Sequence, residues 1–101
     1  MRQRHSFHLD QGDHSVTVNV RSGWITETEV LVDGRECAFH RVRGHGAYPL
    51  TLAAELATDL AAEPPVPLSV RLERTGAPEH PLACTLELAG AVRPMPERVT
   101  R

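Results

Sequence analysis

The chain has 101 residues, enough for one domain that builds its own core without disulfides or a metal. Its net charge of −2 carries none of the basic excess that draws a protein to nucleic acid or anionic lipid. No apolar run approaches the roughly 18 residues of a membrane span. The polar start, Met1 to Ser6, leads into no apolar stretch, so the sequence reads as a cytoplasmic protein without a signal peptide.

Aromatic residues are few (Phe7, Trp24, Phe39 and Tyr48), so the core must come mainly from Leu, Val and Ala. Apolar residues alternate with polar ones in Phe7-His8-Leu9, at odd positions. They alternate again in Val16-Thr17-Val18-Asn19-Val20, at even positions. Each pattern predicts a strand with one buried and one wet face. Gly12-Asp13 lies between them as a turn.

A three-residue loop at Ser22-Gly23-Trp24 would place Val16 opposite Val30 and Val18 opposite Thr28, keeping a single apolar face. A two-residue loop would put those valines opposite glutamates. Asp33-Gly34 then suits a two-residue type I′ turn, whose central residues both need positive φ. An unbroken hairpin sets Val32 opposite Arg35, Val30 opposite Cys37, Thr28 opposite Phe39 and Glu27 opposite His40. Cys37 and Phe39 are thereby expected inside, with His40 and Glu27 paired on the wet face.

Gly44-His45-Gly46 is expected to be a plain turn, since it lacks the residues of a phosphate loop. In residues 50–62, LTLAAELATDLAA, Leu52, Leu56 and Leu60 recur every fourth position among alanines. That spacing favours a short α-helix capped by Thr51 and stopped by Glu63-Pro64-Pro65. Leu50, Leu52, Ala54 and Leu56 also alternate, leaving a seven-residue strand as the other reading. Leu68 to Leu72 and Leu82 to Leu88 alternate as strands, Ala89-Gly90 forms a tight turn, and Pro94 and Pro96 exclude a long central strand. Residues 97–101 read as a loose tail. The whole, residues 1–101, reads as one mainly β domain: an antiparallel sandwich of about seven short strands, with 50–62 open between a short helix and a strand.

Chemistry-bearing residues are scattered. The six histidines form no zinc spacing, so neither metal nor other cofactor is expected. Cys37 and Cys84, each on an apolar strand face, read as reduced core thiols whose burial opposes nucleophilic use. The feature of most interest is the end of the predicted hairpin, where Trp24 falls opposite Arg43 and Thr26 opposite Arg41. With His45 nearby, Trp24, Arg41 and Arg43 would form an inward-facing mouth able to accept a carboxylate or acidic peptide. The plain alternative is that the arginine stems cover the indole and complete the core edge.

Val32-Asp33-Gly34-Arg35-Glu36 and Thr85-Leu86-Glu87-Leu88 resemble the matching hairpin and late strand of the Fas apoptosis inhibitory molecule family. The resemblance implies an antiparallel β-sandwich and a non-enzymatic role in protein interaction, and it brings no catalytic residues. Tyr48 to Val66 departs from that pattern. The expectation is a non-enzymatic cytoplasmic domain that binds or assists another protein, with neither nucleic acid nor membrane as partner and the oligomeric state open. The alternative is a small anionic-ligand or peptide-binding domain built on the Trp24–arginine mouth.

Overall fold

In the computed structural model, residues 3–56 and 64–98 are described, and they contain strands and turns but no helix. Nine strands follow in order: β1 (Gln3–Gln11), β2 (His14–Ser22), β3 (Ile25–Val32), β4 (Arg35–Arg43), β5 (Leu50–Leu56), β6 (Val66–Arg74), β7 (Leu82–Leu88), β8 (Ala91–Met95) and β9 (Glu97–Arg98). They form two antiparallel sheets, one in the order β4-β3-β2-β1-β9 and one in the order β5-β6-β7-β8. A mainly β sandwich is therefore what the alternating pattern makes.

The two sheets divide the apolar work by residue type. Phe7, Val16, Val18, Val20, Val30 and Val32 face inward from the first sheet. Leu56, Leu68, Val70, Leu72, Leu82, Leu86 and Leu88 answer from the second, with Cys84 and Met95 between them. Compact β-branched valines suit the pleated sheet, while the longer leucines reach across to them.

Tight turns set the registers. Gly12-Asp13 joins β1 to β2 with Gln11 opposite His14, and the pairing runs on to Phe7 opposite Val18 and Arg4 opposite Arg21. Between β2 and β3 the pairing is Val16–Val32, Val18–Val30 and Arg21–Glu27. This lies two residues from the three-residue-loop expectation. Because the side-chain period is two, the valines still face inward.

The expected helix is not formed over Leu50–Leu56; that segment is β5, paired along its whole length with β6 from Leu50–Leu72 to Leu56–Val66. Its leucine and alanine spacing fits both periods, and pairing with β6 decides. In the extended form Ala54 and Leu56 are buried and Leu50 and Leu52 pack on the core. Residues 57–62 of the same expectation lie outside the described residues.

The expected loose tail also needs correction in part. Glu97 and Arg98 pair with Phe7 and Ser6, and Glu97 holds His5 through Oε2 to Nδ1 at 2.9 Å. Residues 99–101 lie outside the described part. Pro94 sits in β8, an edge strand, where the missing N–H leaves no ladder position empty. No helix among the described residues is long and apolar enough to cross a membrane.

Candidate functional site

The hairpin that carries most of the candidate residues begins as expected. Asp33 (φ 53°) and Gly34 (φ 80°) make a turn with both central residues in the left-handed region, and Val32 faces Arg35. Asp33 also holds the turn against β2: its carboxylate accepts hydrogen bonds from His14 Nδ1 at 2.7 Å and the Ser15 backbone N–H at 2.9 Å. Those bonds keep its carboxyl below the usual carboxylate range, the His14 bond contributing most.

Two residues later the register breaks. Leu31 pairs with Glu36 and Val30 with Ala38, leaving Cys37 as the extra residue of a β-bulge. Every later residue of β4 is thereby turned over. Ala38, His40 and Val42 lie opposite Val30, Thr28 and Thr26, while Phe39, Arg41 and Arg43 lie opposite Glu29, Glu27 and Ile25. Cys37 is exposed and Phe39 is 50 % exposed, so the expectation that both face the core is wrong. The Glu27–His40 pair is wrong as well, since Glu27 faces Arg41.

Magnitudes explain why the bulge wins. An unbroken hairpin would bury Phe39, worth about 2–3 kcal/mol, but would aim two guanidinium groups at the apolar interior. Each unpaired buried charge costs several kcal/mol. One inserted residue avoids both penalties.

Trp24 lies just outside the start of β3. Its carbonyl accepts the Gly44 N–H at 2.7 Å, and the buried Thr26 hydroxyl donates to the Gly44 carbonyl. Gly44 takes φ 81°, which a residue with a Cβ rarely adopts, to make both bonds. The Gly44 N–H is spent on this closure and does not serve an anion cradle. So held, Trp24 projects into solvent, 94 % exposed. Neither an inward mouth nor arginine stems covering the indole describes it.

The structure keeps part of the expected group together. Trp24 and Arg41 line a depression of about 140 Å³ on the outer face of the five-stranded sheet, with Arg21, Ser22, Ile25 and Glu27. Arg43 lies opposite Ile25, at the end of the edge strand. His45 lines another depression of about 220 Å³, together with His5, Ser22, Tyr48 and Arg74. There the Arg74 guanidinium sits 5.1 Å from the centre of the Tyr48 ring. Burial pushes the Tyr48 phenol up, opposed by the Arg74 charge and by Ser22.

Arg4 and Arg21 were missed by reading motifs alone. Arg21 lines both the Trp24 depression and an adjoining one of about 520 Å³, which also touches Arg4, Ser6 and Asn19. Their adjacency follows from the Gly12-Asp13 turn, because a two-residue connection there sets Arg4 directly opposite Arg21. Ser6 donates to Asn19 at 2.7 Å, and Asn19 donates to Glu29 at 3.0 Å, making a polar row beside the arginines.

Reactive groups elsewhere are dispersed. The Cys37 thiol donates to the Arg35 carbonyl at 3.5 Å. Burial pushes the Cys84 thiol up to about 12, and it donates to the Met95 thioether at 3.6 Å. No three potential metal-ligating side chains gather among the described residues.

Compared with known proteins, the chain matches no family model, no curated protein and no solved structure.

Proposed function

We propose that the domain is a non-enzymatic protein-interaction module that engages its partner through the outer face of β2, β3 and β4. The observation that carries this reading is Trp24, a tryptophan 94 % exposed whose own carbonyl is tied by one backbone bond to Gly44. Ile25 at 38 % and Phe39 at 50 % exposure add apolar area, and Arg21 and Arg41 flank them. Aromatic residues and arginine are the types that carry most binding energy at interfaces. A cytoplasmic setting suits the two unbridged cysteines. The resemblance of the Val32-Asp33-Gly34 hairpin to the Fas apoptosis inhibitory molecule family implies the same kind of role.

The second reading, a site for a small anionic ligand, is favoured by the depression in which Arg21, Ser22, Trp24 and Arg41 converge. One comparison separates them. Cross-linking to a native partner should be lost in both Trp24→Ser and Phe39→Ser and kept in Val92→Ser, whose residue is also an exposed hydrophobic but on the other sheet. Retention of the partner by Trp24→Ser and Phe39→Ser, with both variants folded, would remove the interaction reading.

A further inference from the structure

The outer face holds a charge arrangement that the fold itself does not explain. Arg4, Arg21, Glu27 and Arg41 occupy one register row across β1, β2, β3 and β4. Arg4 and Arg21 are directly opposite each other, a placement in which like charges destabilise a sheet. Among the described residues the ion pairs join His5–Glu97, His8–Asp10, His14–Asp33 and Arg71–Glu73, and none takes up Arg4, Arg21 or Arg41. Glu27 offsets one of the three charges. Two guanidinium groups in excess are thus lined up beside the exposed indole, with an open groove of about 520 Å³ at the Arg4–Arg21 end.

Resting on the interaction reading above, we infer that the partner presents an acidic, extended segment that crosses the strands along the Arg4–Arg21–Arg41 row and ends with an apolar side chain against Trp24. Charge complementarity selects this occupant. Each arginine offers a planar fork of donors that fits a carboxylate, and pairing removes the Arg4–Arg21 repulsion. The row spans three strand spacings, about 14 Å, which is about four residues of extended chain.

The test uses the whole chain and two synthetic decapeptides, one alternating Glu with Ser and ending in Leu, the other with Gln for every Glu. Trp24 is the sole tryptophan, so its emission reports occupancy directly. The acidic peptide should shift that emission to the blue and move the amide signals of Arg4, Arg21 and Arg41. Its affinity should fall as salt rises, and Arg21→Gln should weaken it roughly tenfold or more without unfolding the domain. An equal response to the Gln peptide overturns the acidic-partner inference while leaving the docking face intact. Silence toward both peptides also overturns it, and the interaction reading is then decided by the Trp24→Ser and Phe39→Ser cross-linking. Tighter binding of a deoxythymidine oligonucleotide than of the acidic peptide overturns it in favour of a nucleic-acid partner.

Discussion

Ala38 sits directly opposite Val30, the position that an unbroken hairpin from the Asp33-Gly34 turn would give to Cys37. That displacement by one residue turns Arg41 outward, beside Trp24, and makes the outer face what it is. Deletion of Cys37 should therefore be tolerated, since Glu36 and Ala38 would become consecutive and keep their partners Leu31 and Val30. Cross-strand proton contacts between Val30 and Ala38 should persist in the deletion variant. Their replacement by contacts between Val30 and Phe39 would show that the bulge does not set the faces.

The two thiols should differ sharply in reactivity. Cys37 is exposed, whereas Cys84 is buried with its thiol pushed up to about 12 by desolvation. An aromatic disulfide reagent should titrate one thiol per native chain at neutral pH and two in denaturant. Rapid release of two equivalents from the folded protein would contradict the burial of Cys84 in the core.

Asp33 should make the domain acid-sensitive. Its folded-state pKa lies below the ordinary carboxylate value, so the bonds from His14 and Ser15 contribute fully above the unfolded-state pKa. They are lost as pH falls through the folded one. Asp33→Asn keeps a residue tolerant of positive φ but removes the charge. The melting temperature of wild type should fall more steeply below about pH 4 than that of Asp33→Asn. Parallel curves would place the acid sensitivity elsewhere.

Ala89 takes φ 52° in the turn between β7 and β8, followed by Gly90 at 79°. An alanine there is strained, and Asn-Gly is the pair this turn type prefers. Ala89→Asn should stabilise the domain by about 0.5–1 kcal/mol in urea unfolding, because the position is exposed and nothing else is disturbed. A loss of stability would mean that the turn does not hold this conformation.

The alternating valines and leucines, together with Gly12-Asp13, Asp33-Gly34 and Ala89-Gly90, were sufficient to define a β-sandwich and most of its inward faces. Local sterics and a period of two leave little choice there. The same local signals were silent on the bulge at Cys37, because its cause is the cost of aiming Arg41 and Arg43 at a core that only the second sheet creates. They favoured helix over Leu50–Leu56, where the open edge of β6 chose strand instead. The outer-face site belongs to that second class. Arg21 and Trp24 are near neighbours along the chain, but Arg41 is distant from both, and strand pairing across β2, β3 and β4 is what brings the three to one surface.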